Sequence, residues 1–332
     1  NQTGYYNYYG MLSSDAQFSF FAQEHIASDE KSKMAAEKYG KHMYFPSWHY
    51  QESYAHLLIY HKKENMKKTI LLAILALLCG INAVAQSKCE AIKNKVDNAY
   101  NFWMYTPYEV KDENAHMPLL VFLHGASLCG TNMSKVKRYG PMDALEKGRV
   151  IDCYIIAPQN PGGSWNPKKI MNIIEWMEKN YKVDSNRIYV YGMSLGGYGT
   201  IDMCATYPDK IAAGMALCGG GTVKDLSGLS KLPMWIVHGT ADRAVPVSAS
   251  DRVVKAIKDT GDDSRLIYTR MPGIDHGRPA RIFYMRQTYD WMFSHSLQDE
   301  GRPINRDFEI TKEGMNNAYK DFGKEPVIEE YE

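Results

Sequence analysis

Short apolar runs alternate with amphipathic stretches along the chain from about residue 100 onward. The runs that predict strands are Leu119–Leu123, Tyr154–Ala157, Ile188–Tyr191, Ala212–Leu217, Met234–Val237 and Leu266–Thr269. Apolar residues at helical spacing predict helices over Ile170–Tyr181, Leu195–Tyr207, Ser248–Lys258 and Ala280–Ser294. Such alternation indicates βαβ units, and strands that are apolar throughout are typical of a parallel sheet buried on both faces. The predicted fold class is therefore α/β, with a mostly parallel, doubly wound sheet and helices on both faces.

Composition permits a large core and gives no sign of a charged partner. The chain has 332 residues, of which 45% are hydrophobic, and its formal net charge is +1. A balance so near zero offers no electrostatic reason to expect a nucleic acid or an anionic membrane as partner. The sequence contains no Cys-x-x-Cys pair and no His/Cys cluster with zinc spacing, so we expect neither a metal nor a cofactor.

A secretory signal peptide is predicted within the chain rather than at its first residue. Met66-Lys67-Lys68 leads into an apolar run, Ile70–Ile81, and Ala83-Val84-Ala85 follows. A basic start, a short apolar run and small residues at the −3 and −1 positions are typical of such a signal. The run is short for a membrane span, which needs about 20 apolar residues. We expect a secreted or periplasmic protein without a membrane span after cleavage; the alternative is a buried core helix.

The predicted signal peptide divides the chain into segments. Translation starting at Met66 would make residues 1–65 an upstream extension absent from the mature protein; the alternative is an N-terminal interaction module. Residues 86–298 form the predicted catalytic domain, and residues 299–332 turn polar and predict a loose tail. The mature chain keeps five cysteines, an odd set that cannot pair completely, so we expect at most one or two disulfides.

Gly192-Met193-Ser194-Leu195-Gly196 has the pattern of a nucleophile elbow. A predicted strand precedes it and a predicted helix follows, which is the context that the motif requires. The turn is so sharp that the positions flanking the serine must be nearly free of side chains, and glycine meets that need. Ser194 is the predicted nucleophile; a glycine-rich loop without chemistry is the alternative.

A serine hydroxyl needs a base, and this fold usually presents the nucleophile, the acid and the histidine in that order. Asp242 follows the strand Met234–Val237, and His276 follows the strand at Leu266–Thr269. Ligands bind at the carboxyl ends of parallel strands, so we predict Asp242 as the acid and His276 as the base. The competing residues are Asp275, directly before the histidine, and His295, late in the chain, whereas His238 is expected to be structural.

The negative oxygen of a tetrahedral intermediate needs preorganised N–H donors. We predict the backbone amides of Leu195, at a helix start, and of Ala126, in the loop after Leu119–Leu123. An ordinary strand-end turn is the alternative for that loop. Four residues at strand ends are expected to face the substrate: His124, Gly125, Gln159 and Trp165. The tryptophan could stack on a sugar ring or pack under its loop, and Cys129 is expected to be an unreactive thiol.

These motifs resemble the secreted esterase, feruloyl-esterase and polyhydroxybutyrate-depolymerase-like branch of the α/β-hydrolases, and the related predicted-peptidase and phospholipase/carboxylesterase groups are similar. The segments that carry the resemblance are Pro118–Asn132, Tyr191–Thr200, Leu217–Gly221, Trp235–Val247 and Gly273–Gly277. The resemblance covers roughly residues 100–297 and implies the same triad: Ser194, Asp242 and His276. Ser127 stands where the family usually has glycine, which leaves the shape of the second oxyanion donor open.

The resemblance implies an exported carboxylesterase that works through an acyl-enzyme. It also implies acetyl or feruloyl esters on plant polysaccharides, or small-molecule esters, as substrates. One fold serves many chemistries, so two other hypotheses stand beside this one. The first is a serine peptidase of the same fold. The second is a catalytically silent binding protein.

Overall fold

A computed structural model describes residues 88–107, 115–320 and 322, all within one compact unit that spans residues 84–332. Its strands are β1 (Lys88–Ile92), β2 (Phe102–Thr106), β3 (Met117–Leu123), β4 (Tyr154–Pro158), β5 (Val183–Met193), β6 (Ala213–Leu217), β7 (Met234–Gly239) and β8 (Leu266–Met271). Its α-helices are α1 (Pro141–Glu146), α2 (Pro167–Asn180), α3 (Leu195–Thr206), α4 (Ser248–Asp259), α5 (Arg286–Phe293) and α6 (Lys312–Asn316). The predicted extension at 1–65 and the predicted signal peptide at 66–85 lie outside the described residues.

Within the described part of the chain, the eight strands form one sheet in the order β1-β2-β4-β3-β5-β6-β7-β8. The six strands from β3 to β8 run parallel to one another, and β1 and β2 add an antiparallel edge beside β4. The prediction of a mostly parallel α/β sheet is confirmed. The carboxyl ends of β5, β7 and β8 therefore meet at one edge, where ligands bind in such sheets.

Alternate residues of the buried strands pack into two separate hydrophobic cores. Leu120 and Phe122 of β3 pack in a cluster with α1, α5 and the segment after residue 300. Leu119, Val121 and Leu123 pack in a second cluster with α2, α3 and α4. A strand with side chains on both faces needs apolar residues at every position, which is why these strands read as continuous apolar runs.

Some elements differ from the sequence prediction. The edge strands β1 and β2 were not predicted, and the helix expected over Ala280–Ser294 is a 3₁₀ segment, Arg278–Tyr284, followed by α5. Met285 separates the two with an extended backbone, φ −80° and ψ 128°. The apolar residues that predicted one helix therefore belong to two short helical segments.

The chain beyond Gln298 is not a loose tail over the residues described, in contrast to the prediction. Ile310 is 4% exposed and Met315 is fully buried, both in the core cluster of α5. The indole Nε1 of Trp291 donates to the carbonyl of Asn305 at 3.0 Å. A few well-spaced apolar residues thus anchor a segment whose average composition is polar.

Among the described residues, the five cysteines from Cys89 to Cys218 are free thiols. In the same part of the chain, no helix is both long enough and apolar enough to cross a bilayer.

Candidate active site

Ser194 occupies a strained turn between β5 and α3. Its φ is 58° and its ψ is −121°, a conformation that costs free energy for a residue with a side chain. Its backbone N–H donates to the carbonyl of Leu217 at 2.9 Å, which ties the turn to β6. The strand, turn and helix that the motif predicts are all present.

Close backbone contact explains the two glycines of the motif. A Cβ atom built on Gly196 would lie 1.8 Å from the carbonyl oxygen of Leu123, and one on Gly192 would lie 2.5 Å from the same oxygen. Both obstacles are backbone atoms, which cannot rotate away. The motif therefore requires glycine where α3 crosses the end of β3.

Gly196→Ala is expected to lower the free energy of unfolding by about 3 kcal/mol, because the new methyl group forces backbone to move. Gly277→Ala is the matched control: its nearest obstacle is Asp275 Oδ1 at 3.9 Å, so we expect a change within about 0.5 kcal/mol. Urea unfolding of both variants measures the difference. Equal stability of Gly196→Ala and the parent would contradict this account of the turn.

Asp242 and His276 form a direct pair at the carboxyl edge of the sheet. The His276 Nδ1–H donates to Asp242 Oδ2 at 2.6 Å. The other carboxylate oxygen accepts the amides of Ala244 and Val245, each at 2.8 Å. Burial acts to raise the pKa of this carboxyl, but the hydrogen bonds from His276, Val245 and Ala244 outweigh it and hold the pKa below its ordinary value. Asp242 is thus a carboxylate at neutral pH.

The pair fixes which nitrogen of His276 is available. With the proton on Nδ1 facing Asp242, Nε2 of the neutral ring is left as an acceptor. The side chain is 26% exposed, so a substrate can reach it. In the described part of the chain, Ser194 Oγ has no hydrogen-bond partner; the bond from serine to histidine stays a prediction. Catalytic hydrogen bonds are often longer when no substrate is bound.

The lowered pKa of Asp242 makes stability depend on pH. In the unfolded chain this carboxyl has its ordinary pKa of 3.8, so as the pH falls it is protonated at a higher pH than in the folded protein. The free energy of unfolding should therefore fall as the pH drops below about 4. Asp242→Asn cannot take up that proton, so its loss of stability from about pH 6 to about pH 3 should be smaller. Urea unfolding at both pH values compares the two proteins, and equal losses would refute the linkage.

The two predicted oxyanion donors begin helical segments. Leu195 is the first residue of α3, and Ala126 is the first residue of a 3₁₀ segment that ends at Leu128. Among the described residues, neither amide has a hydrogen-bond acceptor. A Cβ atom on Gly125 would lie 3.4 Å from Ser194 Cβ, so this loop lies against the serine.

Two residues predicted to face the substrate, His124 and Gln159, are hydrogen-bonded to this loop and its surroundings. His124 is fully buried; its Nδ1–H donates to the Gly125 carbonyl at 2.8 Å and its Nε2 accepts the Asn160 amide at 3.0 Å. Burial lowers the pKa of His124 to about 4, so the ring is neutral. Gln159 is 5% exposed and donates to the carbonyls of Leu128 and Asn160. Both side chains are therefore buried in the support of this loop, although the sequence placed them facing the substrate.

Trp165 packs beneath the loop, which is the second of its two predicted placements. It is 3% exposed, and its Nε1 donates to the His124 carbonyl at 3.2 Å. Its ring makes edge contacts with Tyr100 and His124, with centroids 5.2 and 5.0 Å apart. A buried indole cannot stack on a sugar.

The contact of His238 with Asp242 was not predicted from the sequence. This fully buried side chain places Nε2 3.2 Å from Asp242 Oδ2 and 2.9 Å from the Val245 carbonyl oxygen. Ser250 Oγ lies 2.8 Å from its Nδ1. His238 is structural, as expected, and it specifically holds the Asp242 carboxylate. The spacing of four residues in His-Gly-x-x-Asp directly after β7 was the available signal.

The competing residues have other partners. Asp275 Oδ1 accepts the amides of Gly277 and Arg278, at 3.1 and 3.0 Å, and so begins the 3₁₀ segment after His276. His295 is buried, with its Nδ1 2.8 Å from the Trp291 carbonyl oxygen. Burial raises the pKa of the Cys129 thiol, which gives no activated thiolate.

Comparison with known proteins finds similarity to hydrolases. The family described as Phospholipase/Carboxylesterase matches residues 164–289, which include Ser194, Asp242 and His276. Poly(3-hydroxyalkanoate) depolymerase C of Paucimonas lemoignei is 28% identical over 48% of the chain and 42% of that protein. A probable acetylxylan esterase A of Aspergillus clavatus is 32% identical over 46% of each chain. The chain thus spans less than half the length of these relatives.

Among solved structures, a thermostable esterase superposes with a TM-score of 0.52. It is 26% identical in sequence, and the match covers 64% of each chain.

Proposed function

We propose that this chain, an α/β-hydrolase, hydrolyses carboxylic esters with Ser194 as the nucleophile. The observation that carries the proposal is the 2.6 Å bond between His276 Nδ1 and Asp242, at the sheet edge where Ser194 sits in its strained turn. The two features lie on either side of the end of β6. Ser194 bonds to Leu217, and the side chain of the next residue, Cys218, lies within 4.8 Å of the Asp242 carboxylate.

In the acylation step, Ser194 Oγ attacks the carbonyl carbon of the ester while His276 Nε2 takes the hydroxyl proton. Asp242 stays ionised, holds the ring and stabilises the imidazolium. The carbonyl electrons move to the oxygen, which receives hydrogen bonds from the amides of Leu195 and Ala126.

The intermediate then collapses and the alcohol leaves. The carbonyl bond re-forms, the bond to the alkoxy oxygen breaks, and His276 gives its proton to that oxygen. Water attacks the acyl-enzyme by the same route, with His276 again as the base. Release of the carboxylic acid restores the Ser194 hydroxyl.

We further propose acetyl esters on a polysaccharide as the substrate class, with feruloyl esters as the other member of the class. The similarity to an acetylxylan esterase supports this choice. The buried position of Trp165 removes the one sugar-stacking residue that the sequence suggested. The support for a carbohydrate substrate therefore comes from relatives and not from a sugar-binding surface.

A panel of substrates tests the activity and its class together. We expect turnover of p-nitrophenyl acetate and release of acetate from acetylated xylan, both faster than cleavage of peptide p-nitroanilides. Faster cleavage of the anilides would favour the peptidase hypothesis. Absence of turnover on every ester, feruloyl esters included, would favour the silent binding protein.

Export is proposed from the sequence alone, on the signal pattern that ends at Ala85. Mass spectrometry of the native protein, recovered outside the cytoplasm, should find Gln86 as its first residue. Peptides from the region 18–41 in that material would refute both the internal start and the extension.

A further inference from the structure

We propose that the phenolic hydroxyl of Tyr139 is a third donor to the oxyanion, beside the amides of Leu195 and Ala126. This inference rests on the proposed esterase function and adds a catalytic residue to it. The observation behind it is the hydrogen bond that Tyr139 Oη accepts from the Gly125 amide, at 2.6 Å.

The phenol lies close to the nucleophile. A Cβ atom built on Gly125 would be 3.0 Å from Tyr139 Oη and 3.4 Å from Ser194 Cβ. The sum of these two distances is therefore the upper limit of the separation between the phenolic oxygen and the serine Cβ. The oxyanion of a tetrahedral adduct is two covalent bonds from Ser194 Oγ. An oxyanion between these two atoms is within hydrogen-bond reach of the phenol.

The phenol has a proton to give. Its oxygen accepts from Gly125, and in the described part of the chain no acceptor takes its own O–H. Burial raises the pKa of Tyr139 to about 12, so the hydroxyl keeps its proton at the pH at which an esterase works. Accepting a hydrogen bond also polarises a hydroxyl and strengthens its donation. Because the Gly125 amide is occupied by the phenol, that amide acts on the oxyanion through Tyr139.

The ring is fixed before any substrate arrives. It stacks on Phe283, with centroids 6.1 Å apart, and meets Phe122 edge-on at 5.8 Å. Gly140 follows with a φ of 91°, and a Cβ there would lie 2.4 Å from the Phe122 ring. The backbone beside Tyr139 is thus pressed against β3, and a donor held in this way needs no reorganisation when charge develops.

The chemistry requires no proton transfer to or from Tyr139. As Ser194 Oγ bonds to the carbonyl carbon, the π electrons of the carbonyl move to its oxygen. The phenol donates a hydrogen bond to that oxygen and keeps its proton when the carbonyl re-forms.

Tyr139→Phe tests the proposal, because it keeps the ring and removes only the hydroxyl. We expect kcat for p-nitrophenyl acetate to fall about 10²-fold with little change in KM. Sulfur accepts hydrogen bonds weakly, so the thiono analogue of the same ester should lose much less. Tyr189→Phe is the matched control: its hydroxyl bonds to the His295 carbonyl at 2.8 Å, away from the site, and its kcat should stay near that of the parent.

Each result has one meaning. An equal fall on the two esters would show that the hydroxyl only holds Gly125, and a kcat within about twofold of the parent would exclude any role. Either outcome would overturn the proposal for Tyr139. Labelling of Ser194 by a fluorophosphonate in the parent protein tests the esterase function separately. Should Tyr139→Phe not fold, 3-fluorotyrosine at 139 replaces it. A stronger phenolic donor should raise the ratio of ester to thionoester turnover, and an unchanged ratio would overturn the proposal.

Discussion

Ser194→Ala is expected to lower kcat for p-nitrophenyl acetate on the order of 10⁶-fold, because it removes the proposed nucleophile and with it the acyl-enzyme. Hydrolysis of the ester then depends on water and the remaining donors alone. The fold should persist, since alanine removes only the hydroxyl and Ser194 Oγ has no partner within the described residues. Steady-state kinetics give the fall, and circular dichroism checks the fold.

Ser164→Ala is the matched control for this variant. Ser164 is exposed, in the loop between β4 and α2, and we expect its kcat to stay near that of the parent. A Ser194→Ala protein that retained more than about a hundredth of the parental kcat would show that another residue is the nucleophile.

Asp242→Asn should lower kcat about 10⁴-fold. An amide can present its NH₂ group to His276 Nδ1, which favours the tautomer with the proton on the wrong nitrogen. It also removes the charge that stabilises the imidazolium. Measured kcat for an ester, with thermal melting as the check on folding, gives the result.

Asp275→Asn distinguishes the two candidate acids. Asp275 is exposed, and asparagine keeps an oxygen that can accept the amides of Gly277 and Arg278. We expect less than a tenfold fall in kcat, which is small beside the loss expected at Asp242. A larger loss at Asp275 than at Asp242 would reverse the assignment.

Sequence alone was sufficient for the framework of the site. Continuous apolar runs predicted strands buried on both faces, and parallel strands bring their carboxyl ends to one edge. The residues that follow β7 and β8 therefore had to meet there, and His276 bonds to Asp242 as that argument required. Glycines on both sides of Ser194 predicted the sharp turn for the same reason of space.

Side-chain direction is what position along the chain could not supply. His124, Gln159 and Trp165 all follow strands that end at the functional edge, yet all three are buried beneath it. Their placement depends on the path of the loop, which is fixed by the bond that His124 donates to Gly125 and the bond that it accepts from the Asn160 amide. Tyr139 was missed for the same reason. It follows the 3₁₀ segment Met133–Arg138, and no sequence pattern there points to Gly125.

The segment after Gln298 shows a different limit. Its apolar residues are few and lack a sustained period, so the local pattern predicts a solvated tail. Ile310 and Met315 are buried because they pack against core residues that are distant in sequence. Only the tertiary structure could reveal that contact.

The central claim is that the Ser194 hydroxyl is activated by His276. Reaction with a fluorophosphonate followed by peptide mass spectrometry tests it most directly. The account predicts one adduct per chain, on Ser194, with a rate of labelling that falls by orders of magnitude in His276→Ala. Absence of an adduct on Ser194, or labelling of Ser194 at the same rate without the imidazole, would contradict it.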